Sequence, residues 1–202
     1  MDSFFERADA ICRRCDVLRH PFYERWSRGE LSRQDLGHYA GQYRHAVVAL
    51  AAASAHAAGD QHADEERGHI ALWDQFLASY GGDRDAAPAP ETAACAAAWA
   101  DPDRDRVATL GALYAIESSQ PAISETKRVG LVAHYGAAPD SDATRYFDVH
   151  AVLDREHAEQ DRRELAGALR AADQERLLAE IERVLTANWR LLDGVEAVCQ
   201  AA

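Results

Sequence analysis

Tyr146-Phe-Asp-Val-His-Ala-Val-Leu-Asp-Arg-Glu-His157 carries His150, Asp154 and His157 at i, i+4 and i+7. At 3.6 residues per turn these offsets place all three on one stripe of a helix. Imidazole nitrogens and carboxylate oxygens are the donors that hold iron or manganese. Two other segments offer complementary groups, Glu117 and the pair Glu66/His69. A helical bundle whose core receives Glu and Glu-x-x-His units from facing helices is a known way to build a two-metal carboxylate site. The stretch therefore predicts an all-α fold around a dimetal, oxygen-activating centre, with Glu66, His69, Glu117, His150, Asp154 and His157 as candidate ligands.

Glu117 closes the apolar run Leu110-Gly-Ala-Leu-Tyr-Ala-Ile116, where an unpaired buried carboxylate costs several kcal/mol and calls for a cation. On the preceding acidic helix Asp64, Glu65 and Glu66 are adjacent, and only one can point straight at the site. Glu66, at the Glu-x-x-His offset, is preferred, while Glu65, at i−4 from His69, is left open. His62 reads as a solvent-facing residue. Asp161 and Glu159 read as lying further round their helix and replaceable.

The 202 residues suit one domain, 1–202, with a sizeable core. Hydrophobic residues make up 48% and aromatics only 8%, which favours closely packed helices over a β-sandwich. A formal net charge of −12 argues against nucleic-acid and anionic-membrane partners. No apolar stretch has the length of a bilayer span, and the N-terminus lacks the basic and apolar regions of a signal peptide, so a cytoplasmic location is expected. The partners to expect are dioxygen and a small-molecule substrate, with a homodimer as the assembly to test.

Cys12, Cys15, Cys95 and Cys199 are too scattered for a disulfide framework. Cys12-Arg-Arg-Cys15 has C-x-x-C spacing but lies in a predicted helix with no βαβ context, so it reads as dispensable. Among 22 basic residues Lys127 is the only lysine. In a chain that uses arginine for positive charge, a surviving lysine is a candidate for use as an amine, because arginine is neither readily deprotonated nor a good nucleophile.

Pattern and capping signals place helices at about 3–18, 21–26, 36–58, 63–80, 90–100, 103–135, from Asp142 through His157, and 173–198. Gly59-Asp60 reads as a break, Pro121 as a kink just after Glu117 that leaves backbone groups unpaired, and Asp140-Ser-Asp142 as the cap of the His150 helix.

His20-Pro-Phe-Tyr-x-x-Trp-x-x-Gly-Glu-Leu-Ser, Gln42-Tyr43, Asp64-Glu-Glu-x-Gly, Leu72-Trp73, Glu117 and His150-x-x-x-Asp154-x-x-His157 together resemble the haem-oxygenase-like diiron oxidases, over nearly the whole chain. That superfamily also holds the TenA thiaminases and the quinone synthase of PQQ biosynthesis. Within it the chain is most similar to the group of the Chlamydia protein associating with death domains, self-sacrificing para-aminobenzoate synthases of folate biosynthesis. The resemblance implies a haem-oxygenase-like (TenA/PqqC-like) bundle of about seven helices that binds two iron ions, or iron with manganese, and uses dioxygen and an external reductant. It implies the same six ligands, Lys127 as the amine donor, Tyr23 as the sacrificed tyrosine and Tyr146 as a second active-site tyrosine.

Two departures accompany it. The family has a longer separation between its first glutamate and the following histidine, which implies a shortened loop or a different register here. The family's tyrosine before the third-helix glutamate is replaced by Ile116, with Tyr114 on another face, which implies altered radical transfer. The rival readings are a multiple-turnover N-oxygenase or C–C-cleaving oxidase on an external amine, amino acid or fatty acid, and a non-enzymatic helical partner-binding domain. TenA-like hydrolysis needs a thiol where Glu117-Ser-Ser119 offers serines, and haem oxygenase needs one axial histidine and no dimetal cluster.

Overall fold

The computed structural model describes residues 3–57, 60–169 and 174–201, and these contain nine α-helices and no strand. In chain order they are α1 (Phe4–Arg14), α2 (Pro21–Arg28), α3 (Arg33–Ala57), α4 (Asp60–Ser79), α5 (Pro90–Trp99), α6 (Arg106–Glu117), α7 (Gln120–His134), α8 (Arg145–Ala168) and α9 (Gln174–Ala201). A 3₁₀ turn, Val17–Arg19, separates α1 from α2. None of the described helices is long and apolar enough to cross a membrane.

Local chemistry sets most boundaries. The Ser3 and Glu6 side chains accept from each other's backbone N–H in a capping box that starts α1. The first helix ends at Arg14 rather than near Leu18, because Asp16 accepts from Leu18 N at 3.0 Å and starts the 3₁₀ turn. Pro21 opens α2 behind His20, whose Nδ1 accepts from Phe22 N. Ser32 and Asp35 exchange side-chain-to-backbone bonds at the start of α3. The break read at Gly59 lies outside the described residues, and so does the start of the last helix at Asp173.

The segment read as one kinked helix is two. Pro121 has no N–H to return to the carbonyl of Glu117, four residues earlier, and α6 stops there. Two other carbonyls of the α6 terminus are taken up by side chains: Ser118 Oγ donates to Ala115 O and Ser119 Oγ to Ile116 O. The Asp140-Ser-Asp142 cap is also corrected. The turn closes through Thr144 N and Arg145 N donating to Ser141 O, and α8 begins only at Arg145, with no side-chain cap bond.

The helices pack as neighbouring pairs, α3 along α4, α5 along α9, and α8 against α6, α7 and α4. Alanine lines the buried face of α3 at Ala40, Ala46, Ala49, Ala53 and Ala57, and its small side chain admits close helix approach. The few aromatic residues are concentrated rather than spread. Trp26, Tyr39, Tyr43, Trp73, Phe76, Tyr146 and Phe147 touch ring to ring in the middle of the core. The buried indoles satisfy their N–H groups on helix carbonyls, Trp26 to Lys127 O and Trp73 to Ala40 O.

Candidate metal centre

The polar cluster lies where α8 meets α4 and α6. Helix α8 turns His150, Asp154 and His157 inward together, as their spacing predicts. Helix α4 does the same with His62, Glu66 and His69, which stand at the same i, i+4 and i+7 offsets. The two stripes meet antiparallel. The His69 ring lies 4.3 Å from that of His150, and the His62 ring stacks on that of His157 at 3.9 Å. Glu117, the last residue of α6, enters beside His62, with Oε1 3.1 Å from His62 Nε2.

Three sets of donors converge so that their ligand atoms lie within 4.8 Å of one another: Glu66, His69 and His150; His62, Glu117 and His157; and Glu66, Asp154 and His157. Glu66 and His157 each belong to two of the sets. All seven residues are buried. His62 Nδ1 and Nε2, both Glu117 oxygens, His150 Nε2, Asp154 Oδ2 and His157 Nδ1 have no hydrogen-bond partner. Burying that many polar atoms unpaired costs several kcal/mol, a cost that a bound cation would offset. Nitrogen and carboxylate donors suit iron, so the residues present fit a bound metal.

The surrounding bonds set the imidazole tautomers. His150 Nδ1–H donates to Tyr146 O at 2.7 Å, which turns the bare Nε2 towards the cluster. Burial, and next the neighbouring His69, lower its pKa to about 4, so the ring is neutral and able to ligate at neutral pH. His157 Nε2–H donates to Glu65 Oε2 at 3.0 Å, leaving Nδ1 for a metal. Glu65 thus stands at the rim as the group that orients His157, while Glu66 faces inward. Burial, then Asp161 and Glu66, push the Glu117 carboxyl well above the usual range, and burial, then Glu117 and Glu66, do the same for Asp154. Glu66 goes the other way: burial pushes it up, but His69 Nδ1–H, donating at 3.0 Å, and the nearby imidazoles hold it below the ordinary value.

Two expectations are corrected here. His62, read as solvent-facing, is 3% exposed and inside the cluster. Asp161, read as replaceable, is 1% exposed and lies close enough to Glu117 to raise the proton affinity of its carboxyl. Both were legible as spacing: His62 stands seven residues before His69, and Asp161 extends the α8 stripe by one further turn from His157. Of the shortened loop or different register expected between Glu66 and His69, the loop is absent, since α4 is unbroken from Asp60 to Ser79, and the different register is the alternative left.

Lys127 on α7 lies in an aromatic cage. Its Nζ is 4.8 Å from the ring centre of Tyr43, 5.1 Å from Tyr23, 5.4 Å from Phe147, 5.5 Å from Tyr39 and 5.8 Å from Trp73. Burial lowers its pKa to about 7. The Tyr23 and Tyr39 hydroxyls share a 2.8 Å hydrogen bond, and burial keeps both phenols protonated. Tyr146 links cage and cluster, with its ring 3.9 Å from His150 and 4.8 Å from Trp73. Tyr114 is turned away and bonded to Asp9 and Arg162. Cys12 approaches the loop after Glu117, its Sγ 3.9 Å from Ser118 Oγ, and burial, the largest influence on it, raises its thiol pKa to about 11. A thiol so protonated is a poor nucleophile.

A helical bundle with histidine and carboxylate groups buried at its centre is the design of an iron-containing redox enzyme, and residues 37–189 match the family model of that description. The chain belongs to this family and is an oxidoreductase-type enzyme. Its similar relatives include the 4-aminobenzoate synthase of Nitrosomonas europaea, 33% identical over 96% of this chain and 91% of that one, and that of Chlamydia trachomatis, 30% identical over 95% and 91%. Among solved structures, a domain of unknown function with a haem-oxygenase-like fold from Shewanella denitrificans superposes with a TM-score of 0.74 at 20% identity, over 99% of this chain and 94% of that one. A TenA homologue from P. horikoshii superposes with a TM-score of 0.68 at 15% identity, over 94% and 93%. These two likenesses establish the haem-oxygenase-like fold.

Proposed function

We propose that this enzyme is a dimetal oxidase that makes para-aminobenzoate from its own side chains, Tyr23 supplying the ring and Lys127 the nitrogen. The observation that carries the reading is the placement of the chain's sole lysine, buried and with a lowered pKa, against the Tyr23 ring in an aromatic cage joined to the histidine–carboxylate cluster through Tyr146. The names of the relatives support the product. Glu66, His69, Glu117, His150, Asp154 and His157 would hold two iron ions, or iron with manganese, which supply the oxidising power of dioxygen with electrons from an external reductant.

The remaining work falls to the protein. Burial lowers the Lys127 pKa to about 7, so near neutral pH a large share of the amine is uncharged and offers a lone pair that an arginine does not. Tyr39 fixes the Tyr23 phenol through their shared hydrogen bond, and the packed rings exclude water from the amine. The aromatic contacts from His150 through Tyr146 and Trp73 to Tyr43 and Tyr39 give an oxidising equivalent a continuous path to Tyr23.

The test is mass spectrometry of protein loaded with iron and manganese, then exposed to dioxygen and reductant, with ¹⁵N-lysine incorporated. The labelled nitrogen should appear in para-aminobenzoate at no more than one equivalent, and Lys127→Arg and Tyr23→Phe should retain metal and give none. Product from Lys127→Arg, or catalytic oxidation of an added amine or fatty acid without para-aminobenzoate, would establish the multiple-turnover reading instead.

A further inference from the structure

We infer that His62 is a metal ligand, so that two matched arms, His62-x₃-Glu66-x₂-His69 on α4 and His150-x₃-Asp154-x₂-His157 on α8, clasp the centre from opposite sides. The inference rests on the dimetal reading above and adds a residue that this reading does not use.

Three observations carry it. First, the arms share one spacing and meet antiparallel, so each residue of one has a counterpart on the other: His69 with His150, Glu66 with Asp154, His62 with His157. Second, His62 is buried with neither ring nitrogen in a hydrogen bond. A structural histidine at such a site bonds through at least one nitrogen, since leaving both bare forfeits the full desolvation cost. Third, His62 Nε2 stands 3.1 Å from Glu117 Oε1, yet the two are not aligned as donor and acceptor. A metal ion between them would take up both bare atoms, and His157 offers a third ligand atom within 4.8 Å of theirs.

The consequence is a change in donor balance. With His62 included, two of the donor sets hold two imidazoles each, His69 and His150 with Glu66 in one and His62 and His157 with Glu117 in the other, while Asp154 lies within reach of Glu66 and His157. Imidazole suits iron, whereas an oxygen-rich set suits manganese. His62 therefore biases the Glu117 position towards iron, and a carboxylate in its place would admit more manganese.

The experiment loads the full-length protein without oxygen from an equimolar mixture of ferrous and manganous ions and measures bound metal per chain for wild type, His62→Gln and His62→Glu, with circular dichroism to confirm folding. His62→Gln should lose about one ion per chain or bind it at least tenfold more weakly, and His62→Glu should retain both while its manganese fraction rises. A second measurement needs no variant. Cobalt-loaded wild type should show hyperfine-shifted ring N–H proton resonances from four imidazoles rather than three. Unchanged metal content and selectivity in folded His62→Gln, or resonances from three imidazoles only, would overturn the assignment while leaving the dimetal reading intact. A wild type that binds no second ion would overturn both.

Discussion

The Lys127 amine lies 5.1 Å from the centre of the Tyr23 ring, and the chain's only lysine is thereby enclosed by rings from α2, α3, α4 and α8. Its pKa falls from 10.5 to about 7 because burial penalises the charged form. Between those two values the unfolded chain binds a proton that the folded chain does not, so stability must rise with pH across this window. In metal-free protein, Lys127→Met should therefore be more stable than wild type at pH 6.5, and the gap should shrink towards pH 9.5. Urea unfolding at both pH values checks this, and a gap independent of pH would refute the neutral buried amine.

Glu65 orients His157 without belonging to the inward-facing set. Replacing it with glutamine keeps the size but weakens the acceptor for His157 Nε2–H. A metal-bound imidazole that loses such a partner typically costs 10–100-fold in affinity. Chelator competition on Glu65→Gln should show a loss of about that size at one metal position, with folding unaffected.

Burial, together with neighbouring carboxyls, raises the proton affinity of Glu117 and Asp154 in the metal-free protein. Metal must displace those protons, so its affinity should fall as pH falls and loading at pH 7 should release protons. Calorimetric titration in buffers of different ionisation enthalpy would reveal the release as a buffer-dependent heat, and identical heats in all buffers would contradict it.

Gly130 on α7 faces Trp26, and a Cβ at this position would come within 2.6 Å of the indole Cδ1 and Nε1. That indole is fully buried and donates to Lys127 O, so it cannot swing aside. Overpacking of this kind costs about 1–3 kcal/mol. Gly130→Ala should be destabilised by that amount in denaturant titration and should slow para-aminobenzoate formation by disturbing the backbone that carries the amine.

The helical character and the inward stripe of α8 were legible in sequence because a helix repeats every 3.6 residues, and that period is a local property. His150, Asp154 and His157 needed nothing but their own spacing. The same period runs through His62, Glu66 and His69, but the adjacent carboxylates Asp64, Glu65 and Glu66 give α4 acidic groups on several faces, so its own sequence does not single out the face that carries His62. Asp161 is hidden from sequence for a related reason: nothing local says how far along α8 burial extends, because that depends on where α6 ends.

What the sequence by itself determined is therefore the set of stripes: which residues share a face of each helix, where Pro121 must interrupt the chain, and that one lysine survives among arginines. Only the tertiary structure decided how the stripes meet. The antiparallel approach of α4 and α8 joins His62 to His157 and His69 to His150, and no helical period encodes a partner so far along the chain. The cage around Lys127 is likewise built by residues from Tyr23 to Phe147. Its low-dielectric interior, which makes an ordinary lysine a neutral amine, exists only once those helices have packed and excluded water.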